Sequence, residues 1–310
     1  MPLSDAFIEN QIKETQKFTH GKNAVIALSA RIESAVCAAL LIKAMGKRLK
    51  CVHIDTGFNC EGESERLISF FEKLPGANVV YVDARERFMN IAEGISDPVQ
   101  KRLVIGRELS DIFMGEAAGA DLLAQGTLYT DFLERQKQIK SRSSFGRYRM
   151  GIENFETIEP LARLYRHEAI ELGKALGIPE WITSRRPFPH LGLAARCTGA
   201  LTRERLAALK KADAILCDEF TKNGLDKEIW QYFIVLPDIT SVGVKDDSRY
   251  EGWPAVIRAV NTHDISAADI AEIPYSVLHK ITERIITEVG GLNRVLYDIT
   301  PKPTATIEWE

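Results

Sequence analysis

A doubly wound parallel α/β sheet followed by a smaller α+β domain is the fold this sequence predicts, on three observations. Short apolar runs alternate with amphipathic helical stretches through the first half of the chain, a βαβ rhythm. A stretch rich in proline and glycine, Arg185 to Leu193, then interrupts that rhythm. Beyond it the apolar runs change spacing, and 310 residues suffice for two cores of ordinary size. The expected domains are residues 1–188 and 189–310.

Ala24 to Leu28 is the first strand, followed by a helix from Ser34 to Met45. Cys51 to Asp55 is the second, followed by a charged helix from Glu63 to Glu72. Asn78 to Val82 supplies a third strand, Asp97 to Ala118 a long helix, and Asp121 to Ala124 a fourth strand running into Gly126 and Thr127. Parallel strands joined by helices place ligands beyond the carboxyl ends of the strands. Gln136 to Gly151 breaks the pattern with Lys137, Lys140, Arg142, Arg147 and Arg149 among serines and glycines, a basic loop too polar to pack. Glu156 to Pro160 resumes as a strand, and Tyr165 to Leu176 as a helix ended by Gly177 and Pro179. After the connector come a helix from Thr202 to Lys222, apolar segments at Gln231 to Leu236, Ser241 to Lys245 and Pro254 to Val260, a helix from Tyr275 to Thr287, and Arg294 to Ile299.

The 40 basic and 43 acidic residues leave a net charge of −3, which offers no general field for DNA, RNA or anionic lipid. No DNA or membrane partner is therefore expected, and any anion must be captured locally. The cysteines, Cys37, Cys51, Cys60, Cys197 and Cys217, show no CxxC pair and no Cys/His cluster at zinc spacing. Reduced thiols and no protein-held metal are expected. With no signal-like N-terminal stretch and no run near the roughly 20 apolar residues of a membrane helix, the expected location is cytoplasmic.

The turn from Ser29 to Ser34, reading SARIES, lies between the first strand and its helix. A helix N-terminus there presents free N–H groups and a positive dipole end, which suits phosphate. No glycine is present to let the backbone approach a pyrophosphate. From this hexapeptide alone, an ordinary βα turn and a phosphate loop both stay open.

Several longer segments carry a resemblance. Residues 297–310 read YDITPKPTATIEWE, 185–196 read RRPFPHLGLAAR, 159–168 read EPLARLYRHE, 126–131 read GTLYTD, and Asp97, Pro98, Lys101, Arg102 and Ile105 to Arg107 fit DPxxKRxxIGR. From near Ala24 to Glu310 the chain resembles the ATP-pyrophosphatase subunit of the GMP synthase family, of the archaeal stand-alone type. That family's patterns are YDITSKPPATIEWE, RxPFPGPGLAxR, EPLxxLYxxE and GTxxxD. The resemblance implies a sheet of the adenine nucleotide α-hydrolase or PP-loop type and a C-terminal domain that forms a homodimer and helps hold the nucleotide. The implied reaction is adenylation of xanthosine monophosphate (XMP) by Mg-ATP, with magnesium carried by the nucleotide, followed by displacement of AMP by ammonia. Ammonia would come from a separate glutaminase subunit or be taken up free.

Carried over residue by residue, the resemblance gives Ser29, Arg31 and Ser34 as the ATP loop and Glu33, Asp131 and Lys140 as catalytic. Arg294, Lys302, Thr306, Ile307 and Glu308 would hold the purine nucleoside monophosphate. The family's SGGxDS has here become SARIES, its TGLLRKGE has become TGFNCEGE at residues 56–63, and its IKSHHNVGG keeps Lys140 but loses both histidines. The changes fall on ATP handling, while the C-terminal nucleotide stretch stays near the pattern. Three readings follow: a paralogue that keeps the monophosphate pocket but has lost or altered adenylation, an active GMP synthase subunit, and a sulfur transferase using Cys60 as a reactive thiol. The first two differ in whether Mg-ATP is a cofactor at all.

Overall fold

The structure, a computed structural model, describes residues 5–131, 155–245, 247–262 and 267–310. The chain forms two compact units: residues 1–56, 62–84 and 106–185 make the first, and 57–61, 85–105 and 186–310 the second.

In the first unit the strands β1 (Ala24–Ala27), β2 (Leu49–Asp55), β3 (Val79–Asp83), β4 (Leu122–Ala124) and β5 (Glu156–Ile158) form one parallel sheet in the order β3-β2-β1-β4-β5. This is the doubly wound sheet that the alternating pattern predicts. The order reverses between β1 and β4, the switch point of the sheet, beyond whose carboxyl ends the ligands of such folds bind. Ile26 of β1 sits in register with Cys51 on one side and Ala124 on the other. The helix Ile32–Met45 is apolar almost all round, with Val36, Leu40 and Leu41 fully buried, as a helix packed on several sides must be. It packs against the helices Asp5–Thr19 and Arg166–Ala175. The Asp5–Thr19 helix, which the sequence pattern does not reveal, sets Ile8 and Ile12 against this core and buries Thr15 and Thr19.

The second unit is a mixed sheet. Strand β8 (Ser248–Asn261) lies between β6 (Gln231–Val235), antiparallel to it, and β10 (Leu292–Tyr297), parallel to it. Strands β7 (Ser241–Lys245) and β9 (Asp269–Ile270) also pair with β8. β8 begins earlier than the apolar run suggests because its polar first half is the return arm of a hairpin with β7. Lys245 pairs with Ser248, and Asp247 at φ 58 makes the turn. The helix Arg203–Lys222 is capped by Thr202, whose hydroxyl accepts from the Arg205 amide, and packs on β6 and on the helix Tyr275–Glu288. A short helix, Arg85–Ala92, also belongs to this unit. Among the described residues no helix is long and apolar enough to cross a membrane.

Candidate functional site

At the carboxyl end of β1 the chain continues its pairing through the Leu28 amide to the Val52 carbonyl (2.8 Å), then turns into the helix Ile32–Met45. Ser34 closes this turn. Its hydroxyl accepts from the Ser29 amide (2.8 Å) and the Ser29 hydroxyl (3.1 Å) and donates to the Ser29 carbonyl (3.1 Å). The Ser29 oxygen in turn accepts from the Arg31 amide at 3.4 Å. Both serines retained from the family's pattern therefore hold the loop itself. Arg31 has φ −74 and ψ 138, so the turn as built needs no glycine there. The Ala30 methyl is buried in the core, which leaves Arg31 as the substituted side chain that reaches solvent.

Glu33 stands in the first turn of the helix, where the dipole favours a negative charge. Its carboxylate is ion-paired with Arg166 and lies 3.6 Å from the Arg31 guanidinium. The loop leaving β4 presses on the same turn: a Cβ on Gly126 would stand 2.4 Å from the Glu33 carbonyl oxygen. Thr127 donates to Glu159 (2.6 Å), and Asp131 accepts from the Leu128 amide (2.9 Å), which fixes the Asp131 carboxylate beside this loop. The structure thus brings Ser29, Arg31, Glu33 and Ser34 into one turn and places Asp131 in the helical turn that follows the loop leaving β4. Lys140 and the basic loop lie outside the described residues.

Deeper in this unit, His53 joins the Leu28 carbonyl (3.0 Å) to the Ser64 hydroxyl (2.9 Å), and Arg185 pairs with the nearly buried Glu63 at 2.6 Å. None of these three contacts, which span 11 to 122 positions, leaves a local pattern in the sequence. Burial pushes the Cys51 thiol up to about 12 and the Cys37 thiol higher. Cys60 belongs to the second unit, half-buried, with Arg196 and Cys217 among its electrostatic neighbours. Among the described residues no group of three or more His, Cys, Asp or Glu could hold a metal ion.

In the second unit the segment after β10 carries most of the monophosphate candidates. A cavity of about 480 Å³ is lined by Val256, Leu296, Tyr297, Asp298, Thr300, Ala305, Thr306 and Trp309. Of the five candidates, Thr306 is in this lining, its hydroxyl donating to the Glu308 carbonyl at 2.5 Å. Ile307 packs against the cluster of Phe233, Val235 and Val256. The Glu308 carboxylate accepts two bonds from Arg196 (2.9 and 3.2 Å) and one from Gln231 (3.0 Å). Lys302 is half-buried and bridges Ala268 through its backbone, and Arg294 is exposed on β10. The five candidates are therefore spread along the segment rather than gathered around one point.

Arg196 and Gln231 are the groups that sequence reasoning did not single out. Arg196 ends the RRPFPHLGLAAR segment and stacks over the Phe233 ring at 3.9 Å. Burial opposes its charge, but the Glu308 carboxylate together with Asp213 outweighs that and raises its pKa. The guanidinium, the amide and the carboxylate thus satisfy one another and fix the segment around Glu308.

Comparison with known proteins gives a consistent picture. Residues 218–309 match the family model for the GMP synthase C terminal domain. A protein of Bacteroides thetaiotaomicron named as a glutamine-hydrolyzing GMP synthase 2 is 45% identical over 98% of this chain and 71% of its own length. The glutamine-hydrolyzing GMP synthases of Limosilactobacillus reuteri (44% identical over 99% of this chain) and Geobacillus kaustophilus (45% over 98%) are matched over 60% and 61% of their lengths. The chain thus spans less than two thirds of these latter relatives. Among solved structures, an NMN synthetase from Francisella tularensis is 17% identical over 60% of this chain and 76% of its own, with a TM-score of 0.47.

Proposed function

This chain belongs to the GMP synthase family, and we propose that it keeps a site for a purine nucleoside monophosphate of XMP type while ATP-dependent adenylation is lost or altered. The observation that carries this reading is the closed turn at Ser29–Ser34. Its two hydroxyls are bonded within the loop, and the Glu33 carboxylate in the first turn of the following helix is paired with Arg166. This donor set does not fit the triphosphate of Mg-ATP. The cavity beside the segment after β10, lined by Thr300, Thr306 and Trp309, supports monophosphate binding in the second unit.

A second reading, an active ATP-pyrophosphatase subunit, is favoured by the frame around the loop: Gly126 keeps its close backbone approach and Asp131 its anchored carboxylate. In that case ammonia, free or released by a glutaminase, would be the second substrate. We further infer a homodimer through the second unit, whose surface exposes Val242, Val244 and Ile299. The functional division then falls near residue 188.

The deciding experiment combines AMP release from ATP, XMP and ammonia with thermal shift by millimolar XMP. A shift without AMP release above background is expected. Sustained AMP release overturns the loss of adenylation, and absence of any shift overturns the monophosphate site.

A further inference from the structure

The segment from Asp298 to Trp309 forms part of the wall of the 480 Å³ cavity, yet it contains no helix or extended strand ladder. Its path is set by side chains. Arg258, fully buried on β8, donates to the carbonyls of Thr300 (2.6 Å), Thr306 (3.2 Å) and Asp298 (3.3 Å), and its guanidinium lies 3.4 Å from the Asp298 carboxylate. Lys101, also fully buried, donates to the Cys197 carbonyl (2.7 Å) and to both carboxylate oxygens of Glu310 (3.0 and 3.1 Å). Glu310 accepts a further bond from the Gly199 amide at 3.1 Å. Neither cation is part of the cavity lining.

We propose that Lys101 and Arg258 are positioning residues for this site: each fixes one end of the wall and so sets how well a ligand fits against Thr306 and Trp309. The proposal rests on the reading of this region as a monophosphate site. A buried ammonium and a buried carboxylate tolerate little slack, because water cannot replace either partner without reopening the interior. The pair therefore holds the final residues to one path rather than a family of paths. Arg258 does the same through three carbonyls, a geometry that its planar fork satisfies and a lysine would not.

Lys101→Met alone strands a buried carboxylate, so the working variant is the double substitution Lys101→Met with Glu310→Gln, compared with Lys101→Arg. Two quantities are measured: the XMP dissociation constant by calorimetry, and amide hydrogen exchange across the second unit. The expected result for the double variant is about tenfold weaker binding, with faster exchange confined to residues 300–310 and β6 unchanged. Partial recovery of affinity is expected in Lys101→Arg. Unchanged exchange in residues 300–310, faster exchange spread evenly over the unit, or unchanged affinity despite a loosened segment each overturns the proposal. If the unmodified protein binds no XMP, the site reading fails instead, and the exchange result separately decides whether Lys101 fixes the wall.

Discussion

Gly126 and Glu33 meet backbone to backbone: a Cβ on Gly126 would stand 2.4 Å from the Glu33 carbonyl oxygen and 2.6 Å from its carbon. No flexible side chain is there to move aside. Gly126→Ala must therefore push the β4 loop away from the first turn of the Ile32–Met45 helix. We expect a loss of about 1–3 kcal/mol in chemical denaturation, the scale of overpacking in a rigid site. A change below about 0.5 kcal/mol, the range of neutral surface substitutions, would show that the two loops separate freely.

Restoring the family's loop, through Ala30→Gly, Arg31→Gly and Glu33→Asp together, removes the Arg31 side chain and shortens the carboxylate at the helix terminus. Mg-ATP affinity should rise at least tenfold by calorimetry, about 1.4 kcal/mol. The unmodified protein should bind Mg-ATP more weakly than an active relative by about 2–3 kcal/mol, the scale of lost charged hydrogen bonds. Some stability will be lost, since the Ala30 methyl is buried in the core and glycine is costlier to order. Equal ATP affinity before and after the triple change would remove the loop from the explanation.

Asp298 gives the C-terminal segment an acid limit. Burial raises its pKa, but the Thr300 amide and hydroxyl, the Arg258 charge and the Trp309 indole N–H outweigh burial, and the net effect is a lowered value. A carboxyl with a depressed folded pKa stabilises above its unfolded pKa of about 3.9 and loses that contribution as pH falls through the folded value. The wild type should thus exceed Asp298→Asn in stability at neutral pH, with the gap closing below about pH 4. Denaturation curves that stay parallel from pH 7 to pH 3 would contradict this.

The thiols should react in order of exposure. Cys37, Cys51 and Cys197 are buried and their pKa values are raised by burial, whereas Cys60 is half-exposed. Iodoacetamide at pH 8, followed by mass spectrometry, should modify Cys60 well before those three. Cys60→Ser should leave XMP binding intact, which separates the monophosphate reading from sulfur transfer.

Lys302→Ala tests the candidate phosphate contact directly. As a point charge Lys302 should contribute about 1.5–3 kcal/mol to monophosphate binding. An unchanged XMP dissociation constant would assign Lys302 to the structure of the segment alone.

The sequence by itself determined most regular elements of both units and the family. Period-two and helical apolar patterns are local, so β1 to β4, the Ile32–Met45 helix and the Arg203–Lys222 helix could be read directly. The Asp5–Thr19 and Arg85–Ala92 helices escaped because charged and polar residues dilute their apolar stripes, and packing rather than pattern stabilises them. The candidate site was legible only as residue types at matching positions. Tertiary structure alone decided that Ser29 and Ser34 bond to each other, that Arg166 takes the Glu33 carboxylate, and that Arg196 and Lys101 hold Glu308 and Glu310. The last two pairs join residues 112 and 209 positions apart. Such contacts leave no local periodicity, because they exist only once burial has removed water and made each charge depend on the one partner within reach.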